Sequence, residues 1–427
     1  MVQKRSQMIN ISHYKNTLTE NKSLITHVIL FFLMFTVYFL MGTSMITLVI
    51  YMNEAGMKDL IIYAVASFPL SMVISPLLSG AIADRYFSAN KMIATCFIIS
   101  GLLLCTAVSF SSNPLIFVIL FFIFKLVYAP TLGLANSITM ANVENIDKSF
   151  PIIRIGGTLG WIFAAAIISL LKAETTSTPF LISGTVAVVL GIIFMFILPH
   201  TPPAEKNSTF NLRDIIGVDA IKSLNVKGNG FKVFMTTCFF ATLLSSLYDQ
   251  YAPLYFHSSG LERTAAYMAL GQVSEVLIMF LLPILSLRFK LKNLMIFGLL
   301  AIILRYALLL TNTYIPHIYL AISAIAMHGF IIALYFIVSQ IVMDMLANKE
   351  IRSQAQSLLM FVSLGAGSLL GSIVMGSVLN LFVKDVNDMA QWRVFWLIPL
   401  AVSIFTALLF IYGFKNKNLE NTKTSLQ

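Results

Sequence analysis

Twelve apolar runs, each of bilayer-spanning length and ended by Gly, Pro, Asn or a charged residue, dominate the sequence. They fall at Ile25–Tyr51, Leu60–Ala83, Met92–Phe110, Leu115–Met140, Ile152–Leu171 and Phe180–Leu198, and then at Phe231–Phe256, Ala265–Leu287, Leu294–Leu310, Ile315–Met345, Ala355–Phe382 and Phe395–Phe414. A helix crossing the hydrocarbon core needs about 20 apolar residues, because no water is present there to bond to the backbone. Twelve such helices use roughly 240 positions, which a chain of 427 residues accommodates with short loops. With 58% hydrophobic and only 11% charged residues, an ordinary water-facing surface is excluded. The expectation is an all-α polytopic membrane protein with twelve transmembrane helices in two six-helix bundles. Its parts are an N-terminal tail (1–24), a first bundle (25–198), a linker (199–230), a second bundle (231–414) and a C-terminal tail (415–427). The runs ending at Met345 and Phe382 exceed the bilayer thickness, so tilt or extension into water is expected there.

A net charge of +10 raises the question of a nucleic-acid partner, but the Lys and Arg residues are scattered through short loops and form no patch. They read instead as topology. With the N-terminus in the cytoplasm, cytoplasmic segments take 21 of the 28 basic residues; the outer loops keep Lys58, Lys172, Arg263, Lys384 and Arg393, and Lys125 and Arg305 fall inside helices. That imbalance is what the positive-inside rule requires, so both termini are expected in the cytoplasm of a bacterial inner-membrane protein. Cys96, Cys105 and Cys238 lie in apolar runs without metal-ligand spacing and read as packing residues. The polar first 24 residues precede a run too long for a signal-peptide core, so no cleavage is expected.

After the second run stands Gly80-Ala81-Ile82-Ala83-Asp84-Arg85-Tyr86-Phe87, with Lys91 following. A glycine permits close helix approach, and a charged pair at a helix end can engage a neighbouring helix, so Gly80, Asp84, Arg85 and Lys91 are candidates for a conformational latch. The competing reading is an ordinary charged loop. This stretch resembles the loop signature of the major facilitator superfamily, which implies that fold. Further blocks resemble the nucleoside:proton symporter family within it: Ala129-Pro130-Thr131-Leu132-Gly133-Leu134-Ala135-Asn136-Ser137, Phe150 to Trp161, Leu270 to Val276, Leu304-Arg305-Tyr306-Ala307, His328-Gly329 and Lys349 to Gln356. They recur in order across most of the chain.

Polar side chains at membrane depth are costly when they face lipid, so those present usually face a cavity or a partner. Arg154, Thr158 and Trp161 share one helix face at i, i+4 and i+7, offering a cation, a hydroxyl and an aromatic plane. A nucleoside would use such a set, since a base stacks on a ring and ribose hydroxyls need partners. A snorkelling arginine beside a packing tryptophan is the alternative. Gln272 and Glu275 stand three apart on another face; the resemblance implies a substrate or coupling role for them, against a structural pairing of Glu275 with Arg305. Tyr38 and Gln250 join the substrate candidates, and Asp249 joins Glu275 as a proton-coupling candidate unless it merely caps the outer interface. Lys125 could snorkel, pair with an acid or meet an anion. His328 is more often the satisfied packing group than the titrating one. The family pattern carries an Asp a few residues after the His-Gly pair, where this chain has Ala333, and Asp344 lies too shallow to replace it.

These readings converge on a secondary transporter that takes up nucleosides with protons by alternating access. A facilitator or exporter of another polar or amphipathic solute (a sugar, a modified nucleoside, a drug) is the first alternative, and a non-transporting membrane sensor the second. No metalloprotease, hydrolase or P-loop motif is present, so an enzyme is not expected, nor a cofactor, metal or nucleic acid. The expected partners are a nucleoside-like solute, protons and the lipid bilayer, with the chain acting as a monomer.

Overall fold

A computed structural model describes the backbone of residues 2–86, 88–202, 229–347 and 351–415, and the side chains within those ranges except 2–23, 76–86, 147, 352 and 353. Twelve helices are long and apolar enough to cross a membrane. In the first half they are α1 (Leu24–Glu54), α2 (Lys58–Ser75), α3 (Ala89–Ser109), α4 (Pro114–Ala141), α5 (Lys148–Leu170) and α6 (Thr178–Ile197). In the second they are α7 (Asn229–Ser258), α8 (Thr264–Arg288), α9 (Leu291–Asn312), α10 (Ile318–Leu346), α11 (Gln354–Phe382) and α12 (Met389–Gly413). Every apolar run read from the sequence is one of them. The backbone of the N-terminal tail is helical from Val2 and runs straight into α1. Most of the expected linker, residues 203–228, and most of the C-terminal tail lie outside the described residues.

Local sequence sets the helix ends. Asn113 accepts a hydrogen bond from the Ile116 amide at 3.3 Å with Pro114 at the first helical position, and Asp388 accepts from Ala390 at 2.9 Å. Both satisfy amides that the helix leaves unpaired. Pro130, which has no N–H to give, interrupts α4 just after Tyr128. The outer faces carry belts of exposed apolar side chains, such as Phe280, Ile284 and Leu287 on α8, which only lipid can cover.

Within the first half α1 packs along α5 and α3 along α6; within the second, α8 and α9 pack on α10, and α7 on α11 and α12. Two glycines permit the tightest approaches. A Cβ on Gly160 would overlap the Phe35 carbonyl of α1, and one on Gly329 of α10 would overlap the Ser274–Glu275 peptide of α8. Gly367 and Gly371 bring α11 onto α7 in the same way, as their spacing predicts.

The halves meet along α5–α8 and α2–α11. At the end away from the termini, hydrogen bonds tie them together. Lys58 donates to the carbonyls of Val383 and Lys384, Asn380 donates to the Asp59 carbonyl at 3.2 Å, and the Ala266 amide donates to Ser169 Oγ at 2.9 Å. α10 and α11, each 29 residues long, also contain wide turns: α10 widens to π-helix at Ile332–Ile337 and α11 at Phe361–Gly367. Such wide turns cluster at functional sites in helical proteins.

Candidate functional site

Between the halves, α1, α2 and α5 face α7, α8, α10 and α11 across a cavity of about 460 Å³. Tyr38, Arg154, Thr158, Trp161, Gln250, Gln272 and Glu275 all line it, and so does Asp249. Helical periodicity explains the convergence: polar groups three or four residues apart share a face, and only an inward face spares them from lipid. A neighbouring space of about 210 Å³ shares Ser246, Asp249, Ile332 and Leu364 with this cavity and continues between α7, α10 and α11 past both wide turns. A cleft of about 560 Å³ lies among the loops at the sealed end, but only second-half residues line it. Movement of one half against the other would not expose that cleft alternately.

The first-half wall is cationic and aromatic. Arg154 Nη2 donates to the Tyr38 hydroxyl at 2.6 Å, and its guanidinium lies 4.2 Å from the centroid of the same ring. Gly157 makes this possible, since a Cβ there would collide with both partners. The arginine is therefore held inside, not snorkelling.

The second-half wall is acidic. His328 of α10 sits between two carboxylates: its Nε2 is 3.4 Å from Glu275 Oε2 and its Nδ1 is 3.9 Å from Asp249 Oδ1. Gln272 Nε2 lies 3.3 Å from the same His328 Nε2. Half of the Asp249 side chain (51%) is open to the cavity, so it is no interfacial cap. Among the described residues, Gln250 Oε1 is buried without a hydrogen-bond partner. A buried amide oxygen left so costs about 1–3 kcal/mol, which a donor on a bound solute would relieve.

Several expectations need correction. Glu275 does not pair with Arg305; Arg305 is buried and stacks on Tyr248 at 3.9 Å, with its Nε and Nη2 lacking partners among the described residues. Lys125 does not snorkel and, among the described residues, meets no acid. It is fully buried, donates to Ser44 Oγ at 2.9 Å and lies among Phe68, Phe121, Phe124 and Tyr128 at 4.6–5.7 Å from their centroids. Phe68 also lines the cavity, whereas Lys125 does not. His328 lines the cavity and meets Asp249, Gln272 and Glu275, contacts that the sequence did not assign to it. Ala333 is buried in the wide turn of α10. Of the latch candidates, the side chains of Gly80, Asp84 and Arg85 lie outside the described residues; Lys91 is exposed at the start of α3.

Twelve spans in two halves around one central polar cavity, with one end tied shut, define a transporter of the major facilitator fold. The chain belongs to the Nucleoside H+ symporter family, whose model matches residues 24–419. It is 30% identical over 406 residues to the candidate nucleoside transporter YegT of Escherichia coli (strain K12), covering 92% of this chain and 94% of that one. The crystal structure of the nucleoside transporter NupG superimposes with a TM-score of 0.80 at 25% identity, covering 92% of this chain and all of that one. A D-xylose–proton symporter shares the fold at a TM-score of 0.71, with 15% identity over 92% of this chain and 98% of that one.

Proposed function

We propose that this chain, acting alone in the bacterial inner membrane with both termini in the cytoplasm, takes up nucleosides together with protons. The observation that carries the reading is the pairing of two unlike walls around one cavity: Arg154, Tyr38, Thr158 and Trp161 face Gln250, Gln272, Glu275 and Asp249. A nucleobase has a face to stack and edges to hydrogen-bond, which suits Trp161 and Arg154. The ribose hydroxyls are donors and suit Glu275 and the unpartnered Gln250 oxygen. Family membership supports the same substrate class.

Alternating access follows from rocking about the α5–α8 and α2–α11 contacts. The bonds from Lys58, Asn380 and Ala266 hold the end away from the termini closed. Gly80, Asp84, Arg85 and Lys91 belong to the proposal as a latch at the opposite end. Coupling requires a proton that binds the two conformations unequally, and Glu275 and Asp249 are the acids placed to take it.

The test is uptake of labelled nucleosides into proteoliposomes under an inward proton gradient. Glu275→Gln should abolish accumulation against the gradient while leaving nucleoside exchange reduced but measurable. Undiminished accumulation would remove Glu275 from the mechanism. Uptake that a protonophore does not alter would favour the alternative of a facilitator.

A further inference from the structure

We infer that His328 is a proton-operated switch that decides which groups Gln272 and Glu275 present to the solute. The inference rests on the reading of those two residues as solute-binding. One ring nitrogen, Nε2, has two neighbours that make opposite demands on it: the amide nitrogen of Gln272 at 3.3 Å and the carboxylate of Glu275 at 3.4 Å. The amide can donate to Nε2 only when that nitrogen carries no proton. The carboxylate can accept from it only when it does.

With the ring neutral and its proton on Nδ1, toward Asp249, Gln272 is spent on the histidine and turns its carbonyl oxygen to the cavity. Glu275 is then free as an acceptor. Protonation puts hydrogen on both nitrogens, ties Nε2–H to Glu275 Oε2 while leaving Oε1 to accept from the solute, and expels the Gln272 amide nitrogen, which swings its donor toward the solute. The helix carrying the ring cannot drift to relieve the conflict. Gly329, the next residue, donates its N–H to Ser274 Oγ at 2.9 Å, and a Cβ on Gly271 would lie 3.2 Å from that of His328. α10 is thus pinned to α8 at the height of the histidine.

Every element around the ring contributes to its field. Asp249 faces it from α7, and Gln272 and Glu275 from α8. Arg305 of α9 stands behind Tyr248 on the Asp249 side, and Arg154 and Tyr38 lie across the cavity. Two acids flank the imidazole directly, so its charged form has ready partners on both nitrogens. A proton taken here orders two solute-facing side chains before the solute arrives, and the proton and the nucleoside therefore bind cooperatively.

The experiment is nucleoside binding to the purified full chain as a function of pH, with uridine and adenosine as probes, for the wild type and for His328→Gln. In the wild type the Kd should fall on the order of fivefold or more as the pH is lowered from about 7.5 to about 5.5. In His328→Gln the Kd should hold within about twofold over that interval, and proton-driven accumulation should be lost. A flat wild-type profile overturns the switch whatever the variant does, including a variant that fails to fold. So does a wild-type profile that survives in His328→Gln. Absence of nucleoside binding at any pH is a different result: it overturns the proposed substrate and, with it, the switch.

Discussion

Replacing Gly329 by alanine should separate α10 from α8 and damage the site far more than it damages stability. The added methyl would overlap the Ser274 carbonyl and the Glu275 amide nitrogen, both backbone atoms that cannot rotate away. Overpacking of this kind costs about 1–3 kcal/mol. Removing glycine from a helix interior returns roughly 0.5–1 kcal/mol. The net loss is then about 1–2 kcal/mol, seen as a lower apparent melting temperature of the detergent-solubilised protein. The functional cost is larger because the separated helices carry the two sides of the His328–Glu275 and His328–Gln272 contacts, now at 3.4 and 3.3 Å. A shift on the order of 1 Å would break both, and misplacement of that size commonly costs about a hundredfold. Gly133→Ala is the internal control: Gly133 is exposed on α4, and a Cβ there would meet nothing within 4 Å. It should be neutral or stabilising by up to about 1 kcal/mol, with transport intact. The reasoning fails if Gly329→Ala melts no lower than the wild type, or if it melts lower but carries nucleoside at the wild-type rate.

Two further substitutions probe the walls behind the cavity. Tyr38→Phe keeps the ring under the Arg154 guanidinium but removes the hydroxyl it donates to; nucleoside affinity should fall about tenfold, as for loss of a bond to a charged group of roughly 1.5 kcal/mol, and an unchanged Kd would show that the hydroxyl does not position Arg154. Lys125→Met replaces a buried ammonium that has one hydroxyl acceptor by an apolar chain of similar volume, while Ser44 keeps its bond to the Met41 carbonyl. The melting temperature should rise by the equivalent of about 1 kcal/mol or more with transport unaltered, and a fall would mean that the four surrounding rings outweigh the desolvation of the cation.

Much of the architecture was legible because the bilayer is a harsh solvent. Hydropathy located all twelve spans, and the cost of polarity in lipid pointed to Arg154, Gln272 and Glu275 before any helix was placed beside another. What stayed hidden depends on which helices become neighbours. The meeting of Asp249, Glu275 and His328 joins α7, α8 and α10, and no spacing along the chain encodes it. The pairing of Glu275 with Arg305, weighed from the sequence as the structural alternative, rests on charge, which is easy to read there, whereas the actual partner of Arg305, the face of Tyr248, is an aromatic ring among 34 Phe and 15 Tyr. For Lys125 the sequence left snorkelling, an acid or an anion open, and the structure gives it Ser44 and four aromatic rings instead. The wide turns at Ile332–Ile337 and Phe361–Gly367 carry no proline to mark them in the sequence.

The distribution of charge between the halves bears on how a proton could drive movement. Of the ionisable groups lining the cavity, the first half contributes Arg154 and Tyr38, whereas Asp249, Glu275, His328 and Tyr248 belong to the second. On the proposed reading, a proton taken by this group changes the charge of one wall while Arg154 holds the other positive. An unprotonated acidic wall attracts that cation across the cavity and favours closure; protonation weakens the attraction and favours separation. A solute that bridges the walls replaces the direct attraction with its own hydrogen bonds, so closure of the loaded carrier no longer depends on the bare acids. On this account proton and solute must travel together because each supplies what the other's absence leaves unbalanced, and the coupling resides in the electrostatics of the gap between the halves.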